Sequence, residues 1–224
     1  MKTNKYEQDV DKSMKLQTPK GMQDYVGSDA ENFNTILNAF ETAFQRFGFV
    51  PIRTPIVEYA NLLKGKYGED EKLIYEFKDK AGRGLALRYD LTVPLARVVG
   101  SNQFPLPAKF YNLGRVFRYD TPQKGRKREF VQADIDVLGS NSSICDAELI
   151  ACMSYGFYGL RTRPIFRVNN RRVMNQIFSE LGYREKDFVT ILRAIDKLDK
   201  IGVAGVKREL ERKGLKNVSK LLKL

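Results

Sequence analysis

The sequence predicts an α+β fold in which an antiparallel sheet is flanked by helices and followed by a helical, basic C-terminal segment. Three observations predict it. Strand-like runs cluster before residue 140 and helical periodicity dominates after it. Two long strand candidates, 110–119 and 129–138, are joined by the polar segment Asp120 to Arg128, which lets them pair antiparallel. Alternating strand and helix signals would instead have indicated βαβ units around a parallel sheet.

Each element has a local reason. Ser28 and Glu31 have the spacing of a capping box, and Phe33, Ile36, Leu37, Phe40, Phe44 and Phe47 follow at helical spacing until Gly48. A short strand over 49–53 is broken by Pro55, and a second extended run covers 73–77. The turn at Gly82 to Gly84 returns the chain along a strand over 85–89. Thr92 with Pro94 reads as a cap and first turn of a helix continuing through Val99. Beyond the two long strands, the pattern gives a helix from about 145 to 158 and a short strand around 165–168, then helix to the end. Phe188, Ile191, Ile195 and Leu198 form an amphipathic helix there, and Gly202 and Gly214 punctuate the remainder of the tail.

At 224 residues and 42% hydrophobic, the chain can build one substantial core plus a smaller appendage, so disorder is not the expectation. No apolar run is long enough to span a bilayer, and Met1 to Gln17 carries Glu7, Asp9 and Asp11 in place of an apolar signal core. This reads as a flexible leader over 1–16 on a cytoplasmic protein with no membrane partner. Cys145 and Cys152 fall on one helical face as small buried residues, not as a disulfide. With no histidine and two cysteines, a zinc site of the usual ligands is nearly excluded, and no metal-ligating residue is assigned.

The formal charge is +12 and unevenly spread: from Arg161 onward 17 Lys and Arg face 7 Asp and Glu, leaving +10 there and +2 in the first 160 residues. A basic tail suits a polyanion such as RNA, and it equally suits a solvated helical surface.

The chemistry concentrates between Arg115 and Gly139, RVFRYDTPQKGRKREFVQADIDVLG. On a strand, Phe130, Gln132, Asp134 and Asp136 share one face, while Val131, Ala133, Ile135 and Val137 share the other, which is core. The first face could simply meet water, but an aromatic, an amide and two carboxylates beside a cationic loop suit a cleft. Attack of a carboxylate on a phosphate needs fixed positive charge, for which Arg118 and Arg126 are candidates. Phe130 could back an adenine ring, and Asp90, Gln132 and Asp136 could accept from an ammonium or an imidazole N–H. Taken singly, each has a blander and commoner reading: Thr92 as a helix cap, Asp90 as an Asx turn, Arg118 as a surface ion pair and Phe130 as a core ring. Lys127, Arg128 and Glu129 read as a charged hairpin tip that needs no ligand.

Four segments in order resemble a known family: TPKGMQDY (18–25), FGFVPIRTPIVE (47–58), LALRYDLTVPLAR (85–97) and FRYDTPQKGRKREFVQADID (117–136). They are similar to the first two signature motifs of class II aminoacyl-tRNA synthetases, specifically histidyl-tRNA synthetase, and LRYDLTVP resembles its archaeal and eukaryotic branch. The resemblance implies a partial class II catalytic core over 17–183 and the start of a helical inserted domain over 184–224. It implies that Asp90, Thr92 and Gln132 hold the amino group of L-histidine and that Asp136 accepts from its imidazole. Arg118 would grip the α-phosphate of ATP, Arg126 the terminal phosphate and Asp120 the adenine amino group, with Phe130 stacked on the ring and Gln123 near the tRNA acceptor end. The implied reaction is Mg²⁺-assisted histidyl-adenylate formation followed by transfer to tRNA(His). A homodimer would form through helix 30–47 and the region of Pro55.

The family's third motif, its RG-x-DYY segment and its anticodon-binding domain are not in the sequence, so the expectation is a truncated chain inactive alone. Two alternatives stand beside it: a non-catalytic synthetase-like regulatory subunit of histidine biosynthesis, and a stand-alone RNA-binding fragment.

Overall fold

The structure, a computed structural model, describes residues 16–222. The leader expected over 1–16 therefore lies, but for Leu16, outside the described residues. Two compact units divide the chain, Met1–Pro164 and Ile165–Leu224.

The first unit opens with α1 (Ser28–Arg46). The capping box does not form: Gly27, at φ 58, is the N-cap, and Ser28 already belongs to the helix. A glycine free to turn left-handed sets the entry, and Asp29 and Glu31 place negative charge in the first turn, where the helix dipole favours it. The other end closes as expected at Gly48, φ 77, where the Gly48 N–H donates to the Gln45 carbonyl and the Phe49 N–H to the Phe44 carbonyl, each at 3.0 Å.

There follow β1 (Val50–Pro51), β2 (Val57–Tyr59), α2 (Ala60–Leu63), a 3-10 turn (Gly68–Leu73), β3 (Glu76–Lys78), β4 (Gly84–Leu87), α3 (Thr92–Ser101), β5 (Ala108–Phe117), β6 (Glu129–Leu138) and α4 (Ser143–Gly159). The expected single antiparallel sheet is two three-stranded sheets. One, ordered β2-β4-β3, is antiparallel; the other, β1-β5-β6, is mixed, with β1 parallel to β5. The tight turn at Gly48 aims β1 along β5, and the Ile52 N–H donates to the Tyr111 carbonyl at 2.9 Å. Pro51 is tolerated because β1 is an edge strand. Leu73 ends the 3-10 turn, so the extended run begins after it. At three residues, β2 is too short for any periodicity to announce it.

Ala43, Phe44, Phe49, Tyr111 and Cys152 form the core between α1, α4 and the mixed sheet, with Ile135 and Val137 packed against it from the apolar face of β6. Both cysteines are free thiols; Cys152 is buried and pushed up to about 11 by that burial and by the Glu148 charge, while Cys145 is half-buried.

The second unit holds α5 (Arg171–Glu180), α6 (Glu185–Ile195), α7 (Leu198–Arg212) and α8 (Val218–Leu221). Phe178 of α5 is fully buried with Phe188, Ile191, Val206 and Leu210, so α5 belongs with the tail helices. Gly202, at φ 66, kinks α7. The strand expected over 165–168 does not form: Ile165 and Val168 are exposed, and no ladder reaches them among the described residues. No described helix is long and apolar enough to cross a membrane.

Candidate active site

The β5–β6 ladder sets the geometry. Its register runs from Ala108↔Leu138 to Phe117↔Glu129, and residues directly opposite each other share a face. Asp136 therefore stands across from Phe110, Asp134 from Asn112, Gln132 from Gly114 and Phe130 from Val116. Gly114 leaves room for Arg88: a Cβ there would run into its guanidinium and Leu91, and both would have to shift. Arg88 is buried and ties the two sheets together. Its Nε donates to the Arg115 carbonyl at 2.7 Å and its Nη1 to the Thr54 carbonyl at 2.8 Å. Its backbone N–H donates to the Ile56 carbonyl, and its carbonyl accepts from the Phe117 N–H. Burial lowers the guanidinium below its usual pKa. Sequence reasoning missed Arg88, although an arginine inside an apolar strand run was the available signal.

Arg118 leaves the end of β5 as the Arg118 N–H donates to the Arg128 carbonyl at 2.9 Å. Its guanidinium lies over Tyr89 at 4.4 Å and Phe130 at 5.0 Å from the ring centroids. Its Nε donates to the Tyr89 carbonyl at 3.1 Å, and its Nη2 stands 3.4 Å from Gln132 Oε1. A side chain held at two nitrogens and two ring faces is preorganised, not a loose surface cation.

Asp90 keeps its local role as well: Oδ1 accepts from the Val93 N–H at 3.1 Å and caps α3. The same oxygen accepts from the Tyr67 hydroxyl at 2.9 Å, and burial together with the Asp90 charge pushes that phenol up. Thr92 is not the cap; it is an exposed first residue of α3, whose N-cap position is Leu91. Asp134 and Asp136 are half-buried and both titrate above the usual carboxylate range. Burial is the main cause for each; the Asp90 charge adds to the first and the Asp134 charge to the second.

Arg118, Asp120, Arg126 and Phe130 line one cavity of about 470 Å³ with Tyr25, Phe33 and Lys127. Arg126 Nε donates to Asp120 Oδ2 at 2.6 Å. The hairpin tip is anchored: the Arg128 N–H donates to the Gly21 carbonyl at 2.7 Å, and Arg128 stacks on Tyr119 at 4.1 Å. Lys127 donates to Gln23 Oε1 at 2.5 Å and to the Tyr25 hydroxyl at 2.7 Å. Gln123 is exposed on the loop, bridged to Arg126 and outside the cavity lining. Four candidates thus share the cavity, Gln132 joins them through Arg118, Asp136 lies further along the same strand face, Asp90 is held by Tyr67 at the start of α3, and the exposed Thr92 and Gln123 lie outside the cavity lining.

This architecture, a mixed sheet whose antiparallel hairpin carries a ring-stacked arginine beside an acid-lined strand face, is that of the class II aminoacyl-tRNA synthetase catalytic core. Residues 21–224 match the family model described as histidyl-tRNA synthetase, and the chain belongs to that family. It is 47% identical over 207 residues to a histidine–tRNA ligase of Aeropyrum pernix, an alignment covering 88% of this chain and 46% of that protein. A crystal structure of histidyl-tRNA synthetase from Nostoc sp. PCC 7120 superposes with a TM-score of 0.79 at 30% identity, covering 94% of this chain and 48% of that one. A structure from Bacillus halodurans titled ATP phosphoribosyltransferase regulatory subunit/histidyl-tRNA synthetase shares the fold, with a TM-score of 0.76 at 23% identity over 95% of this chain and 54% of its own. The chain spans about half the length of the curated relatives it matches.

Proposed function

We propose that this chain supplies the ATP- and histidine-binding face of a histidine–tRNA ligase, which joins histidine to ATP as histidyl-adenylate and passes the histidyl group to tRNA(His). The observation that carries the reading is the placement of Arg118. It lines the cavity beside Asp120, Arg126 and Phe130 and also reaches Gln132 on the acidic strand face. A guanidinium at that junction would meet the α-phosphate as the amino-acid carboxylate attacks it, stabilising charge that grows in the transition state. Phe130 would stack on adenine, Asp120 would accept from its amino group, and Arg126 would exchange its bond to Asp120 for the terminal phosphate.

On the other side of Arg118, Asp90, Thr92 and Gln132 would hold the histidine ammonium, with Asp136 accepting from the imidazole N–H. Among the described residues no donor reaches the Asp136 carboxylate, whose raised pKa comes from burial and the Asp134 charge alone. A half-buried acceptor awaiting an N–H discriminates strongly against rings that lack one. Mg²⁺ would enter with the nucleotide phosphates and offset their charge. The basic surface from Arg161 onward and Gln123 at the loop tip would face tRNA, and a homodimer through α1 and the region of Pro55 completes the reading.

Calorimetric titration tests it. The chain should bind both ATP and histidine; Arg118→Ala should weaken ATP by about 100-fold, the scale of a lost charge-assisted contact, and Asp136→Ala should abolish histidine binding while leaving ATP alone. Histidine affinity unchanged in Asp136→Ala would refute the imidazole contact. Histidine binding with no ATP binding would favour the regulatory-subunit reading.

A further inference from the structure

Asp134 has no role in that reading, yet it stands between two residues that do, Gln132 and Asp136, on one face of β6. Both of its oxygens face Gln132: the Gln132 Nε2 lies 3.0 Å from Oδ1 and 2.9 Å from Oδ2. A carboxamide has an acceptor end and a donor end and, left alone, can present either. A carboxylate only accepts, so it selects the donor end. With Nε2 committed to Asp134, Oε1 must point the other way, toward Arg118 Nη2 at 3.4 Å. Across the ladder from Asp134 stands Asn112, buried, with an Nδ2 that donates to nothing among the described residues. Both Asp134 oxygens nonetheless face Gln132.

We propose that Asp134 is a positioning residue for amino-acid recognition: its carboxylate locks the Gln132 carboxamide with the oxygen turned to the cleft, where an α-ammonium needs an acceptor. The inference rests on the histidine reading of the site. It places the selection of a cationic amino group one residue behind the side chain that makes the contact. The geometry requires an acceptor at position 134 and does not require a charge there.

Two variants separate these requirements. Asp134→Ala removes the acceptor and frees Gln132 to flip; Asp134→Asn keeps an oxygen that can still take the Nε2 proton. Histidine affinity measured by titration should fall about tenfold or more in Asp134→Ala and stay within about threefold of the parent in Asp134→Asn, with ATP affinity unchanged in both. The ¹⁵N–¹H₂ side-chain resonances of Gln132 give a readout independent of any ligand: a hydrogen-bonded, downfield proton in the parent and in Asp134→Asn, lost in Asp134→Ala. Equal losses of histidine affinity in the two variants would overturn orientation in favour of charge. Parental affinity in Asp134→Ala, or Gln132 resonances indifferent to it, would overturn the proposal while leaving the histidine reading in place. No histidine binding by the parent would instead remove the reading on which the proposal stands.

Discussion

Phe130 carries two tasks on one ring, backing the Arg118 guanidinium at 5.0 Å and lining the cavity. Phe130→Leu keeps the apolar bulk and removes the π face, so ATP affinity should drop about fivefold by titration while the melting temperature moves little. Asp136 makes a different prediction, because its folded pKa is raised. A carboxyl with a raised folded pKa binds more protons folded than unfolded, so its favourable contribution is full below the unfolded pKa and lost as pH climbs through the folded value. Above that window the buried charge is a cost. Asp136→Asn should therefore melt higher than the parent at neutral pH, the difference vanishing in acid, while histidine binding falls; a lower neutral melting temperature would refute the burial argument. At this scale the sequence was informative where alternation decided a face. Gln132 and Asp136 were readable because strand periodicity assigns faces without tertiary information. Tyr67, Tyr89 and Arg88 were not, since their roles depend on segments far apart in sequence: Tyr67 on Asp90, Tyr89 on Arg118, and Arg88 on Thr54 and Arg115.

Among the elements, β6 matches its expected bounds at both ends, whereas β5 starts and stops two residues early. The cause is visible at its end. Arg118 and Tyr119 continue the strand-like composition, but Tyr119 donates its backbone N–H to the Leu73 carbonyl at 2.7 Å, outside the ladder. Caps behaved similarly: Ser28 and Thr92 have capping chemistry, yet Gly27 and Asp90 perform it one and two residues earlier. Packing of α1 on α4 was legible only as two apolar faces. Their contact depends on Gly156, where an added Cβ would come within 2.6 Å of the Phe40 ring. That ring is already fixed edge-on to Phe157 at 5.2 Å and cannot swing away freely. Gly156→Ala should destabilise the chain by about 1–3 kcal/mol in denaturant unfolding, the usual cost of overpacking; a neutral result would mean the two helices can slide apart at that point.

For the whole molecule, the division after Pro164 follows from the tail helices owning a separate apolar cluster around Phe178, Ile191 and Leu210. The charge count located a basic tail, but charge could not reveal that α5 is tied into it, because that depends on where Phe178 packs. Ile191→Asp buries an unpaired carboxylate in this cluster and should melt the second unit alone, seen as loss of hydrogen-exchange protection there with ATP affinity preserved. If the basic surface binds RNA through phosphate, its affinity should fall steeply with added salt, and a flat salt response would leave that surface to solvent. The β5–β6 ladder has a consequence in time as well as in space. Arg118, Asp120, Arg126 and Phe130 all lie on or inside one hairpin, closed by the loop over 118–128, whereas Tyr67 and Asp90 must be delivered from outside it across longer chain closures. Refolding should assemble the hairpin's share of both grips, Arg118 with Phe130, Gln132 and Asp136, before Tyr67 and Asp90 join it, with Val116→Ala slowing folding and Ala86→Gly chiefly hastening unfolding.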